Sequence, residues 1–371
     1  MDKVLGERMD NNTSKRLYMT QIRTQIKGLG FFVPKNIVTN DDLSKVMDTS
    51  DEWIRARTGI EERRYVTRFK DTPATMGAEA ARVAMDRAGV KPEDIDFVVF
   101  ATLSPDYYFP GGGVLVQREL GLGHCGCLDV RNQCSGFIYG LSVADQYIRT
   151  GTYKNILLIG SEVHSAGIDF STRGRDVTVI FGDGAGAAIL QPTTEEGKGI
   201  LTTHLHADGR YAEKLAFKNP GSHAGVFTGE KDVFPTEEED PYASLMITPK
   251  MVETGDHYPN MDGQFVFKHA VRRFPEVIGE ALEATGLAVS DIDLLVPHQA
   301  NLRIAQFVQK TLQLPDEKVY NNIQKYGNTT AASIPIALTE AWENGMVKDG
   351  DLICLAAFGS GFTWGSALIR W

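Results

Sequence analysis

Leu128-Asp-Val-Arg-Asn-Gln-Cys-Ser-Gly-Phe-Ile-Tyr-Gly140 reads as the end of a buried strand, a tight corner and the first turns of a helix. Cys134 falls at that corner, so its sulfur is expected on the positive end of the helix dipole. Unpaired backbone N–H groups there lower a thiol's pKa and favour the thiolate. Ser135 and Gly136 are small and leave room for a substrate to approach. Taken alone, the segment fits better with a buried cysteine acting as a small hydrophobe, the commoner fate of a lone Cys. What changes that balance lies almost two hundred residues downstream.

An internal repeat supplies the connection. Asp86-Arg-Ala-Gly-Val-Lys-Pro-Glu-Asp-Ile-Asp-Phe-Val-Val-Phe100 recurs as Glu283-Ala-Thr-Gly-Leu-Ala-Val-Ser-Asp-Ile-Asp-Leu-Leu-Val-Pro297, and Asp94 and Asp291 lie 197 positions apart. Each copy is a helix end, a Gly cap, an Asp-Ile-Asp turn and a hydrophobic strand. A second pair of helix ends, Thr150-Gly151 and Asn344-Gly345, precedes the strands Asn155–Gly160 and Asp351–Ala357 at an offset of 194. The expectation is one βαβ-type unit duplicated, with continuous hydrophobic strands buried on both faces. Cys134 and Asn328 also lie 194 apart, so they are expected at equivalent corners. Two helix N-termini would then face one cleft, a good place to stabilise negative charge.

Composition narrows the class. The chain has 371 residues, 42% hydrophobic and 23% charged, enough for a large core in two domains or one double-size unit. A net charge of −10 argues against non-specific binding to nucleic acid or an anionic membrane, and an acidic partner would need a local basic patch. The cysteines Cys125, Cys127, Cys134 and Cys354 do not resemble a disulfide framework, and neither a signal peptide nor a bilayer-length apolar run is evident. The cytoplasm is the expected compartment. Residues 1–23 read as a mobile tail, and about 219–260, with the acidic run Thr236–Asp240, as a surface insertion.

Two further corners carry chemistry-bearing side chains. His298, in Val296-Pro-His-Gln-Ala-Asn-Leu-Arg303, follows a strand at its carboxyl end, where open α/β sheets place ligand groups. Asn328, in Tyr326-Gly-Asn-Thr-Thr-Ala-Ala-Ser333, stands at a loop-to-helix junction and would also serve as an N-cap. Each has an ordinary structural explanation alone; together with Cys134 they point at the same inferred cleft. Gly182-Asp-Gly-Ala-Gly-Ala187 is not a phosphate loop, because an apolar strand follows where a helix is needed. His124-Cys-Gly-Cys127 is half a metal site with no second ligand pair, so no metal is expected.

The sequence resembles β-ketoacyl-acyl-carrier-protein synthase III, of the thiolase superfamily of condensing enzymes. The resemblance spans about Gln25 to Trp371 and is carried by Asp51–Gly59 (DEWIRARTG), Phe181–Ala187 (FGDGAGA), HQANLR at His298–Arg303, Gly327–Ser333 (GNTTAAS) and Phe358–Leu368 (FGSGFTWGSAL). It implies an α/β thiolase-like fold of two pseudo-symmetric halves, 24–195 and 196–371, in α-β-α-β-α layers. It implies a decarboxylating Claisen condensation in which Cys134 is acylated by an acyl-CoA. The enolate from malonyl-acyl carrier protein then attacks the acyl group. A thiolate suits a group that must both attack and leave. His298 and Asn328 would stabilise the enolate as neutral donors. By the same resemblance, the Cys134 and Ser360 N–H groups form the oxyanion hole. Trp53, Arg57, Arg175, Gly263 and Asn301 bind CoA, which is a substrate, so no cofactor is implied. Lys268, Arg272, Arg273 and Arg303 would receive the carrier protein, although ordinary surface charge explains Arg272 and Arg273 equally well. Phe109 resembles the aromatic residue lent across the family's homodimer interface to close the acyl pocket.

Departures bear on the acyl substrate: Asn132 and Gln133 stand where small alanines are usual, and Ser360 replaces a glycine. Rival readings are a relative that condenses acyl chains without a carrier protein, as in long-chain head-to-head or quinolone-type synthesis, and a non-catalytic acyl-CoA or carrier-protein binding module. A hydroxymethylglutaryl-CoA synthase would need a catalytic Glu upstream of Cys134, and nothing there marks one.

Overall fold

A computed structural model describes residues 22–67, 70–222 and 246–371. The strands that matter are β1 (Arg23–Phe32), β2 (Phe97–Ala101), β3 (Gly126–Val130), β4 (Ile156–Glu162), β5 (Gly184–Thr193), β6 (Gly199–Ala207), β7 (Leu294–Pro297), β8 (Leu352–Gly359) and β9 (Thr363–Arg370). The principal helices are α1 (Asp51–Thr58), α2 (Pro73–Ala88), α3 (Gly112–Leu120), α4 (Gly136–Arg149), α5 (Gly263–Thr285), α6 (Leu302–Leu312) and α7 (Ser333–Glu343).

The strands form two main sheets, in the orders β1-β5-β4-β2-β3 and β6-β9-β8-β7. Both are mixed: β2 runs parallel to β4 and β7 parallel to β8, while the strands toward β1 and β6 pair antiparallel. Beyond β7 the second sheet has, among the described residues, only the isolated parallel bridge of Leu295 with Val319, where the first sheet carries the whole of β3.

Side-chain alternation along the strands builds the layers. Val99 of β2 and Ile353, Leu355 and Ala357 of β8 face a common core with Phe137, Ile138 and Leu141 of α4 and Ile334, Ala337 and Leu338 of α7. Val98 and Phe100 face the other way, onto α2 and α3. Leu352, Cys354, Ala356 and Phe358 pack against α5 and α6. The order is therefore helices α2/α3, first sheet, helices α4/α7, second sheet, helices α5/α6. Strands β2, β4, β7 and β8 are buried on both faces, which is why they read as apolar runs without polar alternation, whereas β3 and most of β6 are half-buried or exposed. Cys354 belongs to this core, where burial pushes its thiol up to about 12.

Two expectations change. Arg23 already belongs to β1, so this strand starts inside the segment read as a tail. The segment read as a surface insertion carries structure of its own: Pro249–Thr254 is a surface helix with the Thr248 hydroxyl as its cap, and Asn260–Met261 pairs with Leu215–Ala216. The remainder of the tail and the acidic run Thr236–Asp240 lie outside the described residues.

Candidate active site

Cys134 sits in a short 3-10 turn, Gln133–Ser135, that leads from β3 into α4. Gln133 takes a left-handed backbone, φ 43°, to turn the chain there. The corner is tightly packed rather than roomy. A Cβ on Gly136 would meet Ala101 and Ala331, and the Ser135 hydroxyl lies 2.7 Å from that of Thr363. Gly359 passes so close that a Cβ there would stand 2.5 Å from the Cys134 Cβ and 2.9 Å from its sulfur.

The expectation of a lowered thiol pKa is not met in this environment. Burial pushes the Cys134 thiol up to about 12, and the Glu162 carboxylate adds to the rise. The Ser360 and Cys134 backbone N–H groups and the Thr330 hydroxyl act in the opposite sense. Desolvation of a thiolate outweighs these donors, so the resting group is a thiol.

His298 follows β7 and is buried. Its Nδ1 lies 2.7 Å from the Ser333 hydroxyl, the first residue of α7, and that oxygen also accepts the Gln299 N–H at 3.4 Å. Ser333 can donate its own proton to Nδ1, the arrangement in which Nε2 is the protonated nitrogen. Nε2 has no hydrogen-bond partner among the described residues. Burial, with His164 nearby, pushes the His298 pKa down to about 3, so the ring is neutral near pH 7. Asn328 is held on three sides: its Oδ1 accepts the Thr330 N–H at 2.8 Å, its N–H donates to Ile180 O, and its carbonyl accepts the Gly182 N–H. The cap-like bond at Oδ1 leaves the amide NH2 as the free end. Phe181-Gly182 of the FGDGAGA string thus forms the turn that supports Asn328.

Cys134, His298 and Asn328 line one cavity of about 620 Å3, together with Trp53, Arg57, Gly263, Asn301 and Arg303. The Asn301 amide donates to Arg57 O at 2.9 Å, fastening α6 to α1. Arg57 and Arg175 stack on the Trp53 ring at 4.2 and 4.8 Å, so Arg175 reaches the site through Trp53 and is not part of the cavity wall. Among the four cations assigned to carrier docking, only Arg303 lines the cavity. Lys268 is exposed on α5, and Arg272 and Arg273 both pair with Glu276, at 2.7 and 2.8 Å. A second cavity of about 160 Å3 lies on the other side of the sulfur, lined by Gln133, Ser360, Leu103, Val163, Ile168 and Phe217 among others. Asn132 lines neither; its carbonyl accepts the Ser135 N–H and hydroxyl, so it supports the corner. Phe109 is 81% exposed and also lines neither cavity.

Sequence reasoning missed three groups behind the sulfur. Glu162 ends β4 and is buried, accepting from the Thr102 and Ser104 hydroxyls and the Leu103 and Ser104 N–H groups. His164 and Thr330 are joined at 2.8 Å between Nε2 and Oγ1. They stand 166 positions apart in the chain, and no local motif links them.

Known proteins resemble the chain over almost its whole length. The family described as 3-oxoacyl-[acyl-carrier-protein] synthase III matches residues 128–209, and its C-terminal counterpart matches 282–371. The chain is 41% identical over 348 residues to a Methylococcus capsulatus protein named beta-ketoacyl-[acyl-carrier-protein] synthase III, covering 94% of this chain and 99% of that one. It is 43% identical over 351 residues to a protein of the same name from Caldanaerobacter subterraneus, covering 95% and 98%. The crystal structure of 3-oxoacyl-[acyl-carrier-protein] synthase III from Aquifex aeolicus matches with a TM-score of 0.81 at 41% identity, over 94% of this chain and 100% of that one. By sequence, by fold and over almost its whole length, the chain belongs to the 3-oxoacyl-[acyl-carrier-protein] synthase III family of thiolase-fold condensing enzymes.

Proposed function

We propose that the protein condenses an acyl-CoA primer with malonyl-acyl carrier protein, releasing CO2 and CoA and forming a β-ketoacyl-acyl carrier protein through an acyl-Cys134 intermediate. One observation carries this reading: His298 presents an unpartnered, neutral Nε2–H into the cavity that also holds Cys134 and Asn328. A buried donor without a partner is costly unless something arrives to accept from it. A developing thioester enolate is such an acceptor, and the Asn328 amide supplies a second donor to the same oxygen. The Cys134 and Ser360 N–H groups are left for the tetrahedral oxyanion formed on acylation.

Trp53, Arg57, Arg175, Gly263 and Asn301 are assigned to CoA, and Arg303 with Lys268 to the acidic carrier. CoA serves as a substrate, so the reaction needs no cofactor. The halves are taken as 24–195 and 196–371. A homodimer is proposed from the exposed run Tyr107, Tyr108 and Phe109 beside the open edge of β3. The cytoplasm is the compartment that suits four free thiols.

Intact-protein mass spectrometry after incubation with an acyl-CoA panel tests the assignment and names the primer by the mass added. Cys134→Ser is expected to abolish acylation, and label remaining on another residue would sink the reading. His298→Ala is expected to slow malonyl decarboxylation by about 10²-fold or more while changing Cys134 acylation only a few-fold. Equal loss of both steps would contradict the roles given.

A further inference from the structure

Thr330 touches both chemical corners at once. Its N–H fixes Asn328 Oδ1 at 2.8 Å, its hydroxyl lies 2.8 Å from His164 Nε2, and it lines the same 160 Å3 cavity as Cys134. Its backbone is left-handed at φ 50°, a costly conformation for a β-branched residue, and its side chain is buried. Such strain persists where surrounding structure over-determines it, and it marks sites of function more often than chance. His164 is equally constrained. Its ring stacks on Phe181 with centroids 4.6 Å apart, and its backbone N–H donates to Asp183 Oδ1 at 2.7 Å. His164, Thr330, Cys134 and Ser360 all line the 160 Å3 cavity.

We propose that His164, acting through the Thr330 hydroxyl, is a positioning residue that stabilises the Cys134 thiolate. The His164 Nε2–H donates to Thr330 Oγ1, so the Thr330 proton turns toward sulfur. Donors in series polarise one another, and the low dielectric of a buried site strengthens the last bond of the series. Burial holds His164 neutral, with a pKa near 3, so the relay offers a hydrogen bond at every working pH and adds no charge. The need for it is set by the surroundings. The titratable groups around the sulfur are Glu162 and His164 from the end of β4, His298 after β7 and Arg131 after β3, with Asp183 behind His164. Glu162 opposes a thiolate, and the two histidines are uncharged near neutrality.

This inference rests on Cys134 as the nucleophile, and its test reads the relay separately. The rate of Cys134 alkylation by iodoacetamide at a fixed pH below the thiol's midpoint, followed by peptide mass on the full chain, tracks the thiolate fraction. Thr330→Val and His164→Leu are expected to slow that alkylation about tenfold. Thr330→Ser and His164→Gln, which keep a hydroxyl and an N–H in place, are expected to recover most of the loss. Acylation by acyl-CoA should fall with alkylation, whereas malonyl decarboxylation should change less than about threefold, because the Thr330 N–H still holds Asn328. An unchanged alkylation rate in either folded variant overturns the relay. Should Thr330→Val not fold, His164→Leu against His164→Gln decides alone. Failure of wild-type Cys134 to become acylated would instead overturn the proposed function and leave the alkylation result standing.

Discussion

Burial drives the histidines and the glutamate around Cys134 in opposite directions. His298 and His164 each titrate near 3, while Glu162 is pushed up to about 7 because its carboxylate is cut off from water. Between about pH 3 and 6.5 the unfolded chain binds more protons at the two histidines than the folded one does, so stability falls as the solution is acidified. Glu162 works against this between about 4.5 and 7, where the folded state holds the extra proton. Two histidines outweigh one glutamate, and the three groups together predict roughly 2 kcal/mol more stability at pH 7.5 than at pH 4.5. Urea midpoints across this range would check the slope. Glu162→Gln removes the opposing group and is expected to steepen it, so a flatter profile in that variant would contradict the assignment. Cys134, His298 and Asn328 could be picked out of the sequence because each stands at a predictable strand or helix end. The ionisation of Cys134 could not, because desolvation and Glu162 arrive from elements remote in the chain.

At the level of elements, the corner before α4 and the corner before α7 meet back to back. Gly160 of β4 packs so close that a Cβ would stand 2.3 Å from Ala331 O, and Gly359 at the end of β8 closes on the sulfur from the other side. Gly359→Ala would need a shift of Cys134 itself. It is expected to cost about 1–3 kcal/mol by overpacking and to slow acylation at least tenfold. A folded variant with wild-type acylation would show that the corner has slack. The strands and helices around these glycines were legible from apolar runs, Gly caps and the two recurring Asp-Ile-Asp turns. The mixed strand direction was not, since a strand buried on both faces reads the same whichever way its neighbour runs. Nor was the helix at Pro249–Thr254, which lies in a Gly- and Pro-rich stretch whose order depends on contacts such as that of Arg173 with Glu253 O.

Across the whole molecule, the largest exposed apolar feature named above is Tyr107-Tyr108-Phe109, at 55, 65 and 81% exposure, beside a sheet edge with unpaired backbone groups. Both are liabilities on a monomer in water. Sedimentation is expected to give a species of about twice 40.8 kDa, and Phe109→Asp is expected to shift it toward the monomer. A wild-type chain that sediments as a monomer at micromolar concentration would exclude the proposed dimer. Composition alone did not reveal this surface, because three aromatic residues disappear in an average over 371. The two cavities on either side of Cys134 share only the walls Cys134, Phe181 and Leu215. Under the proposed function, the nucleotide end of a thioester and its acyl end would meet separate sets of residues. Substitution around Gln133 and Phe217 would then change which primer is accepted while the handle that every primer shares stays untouched.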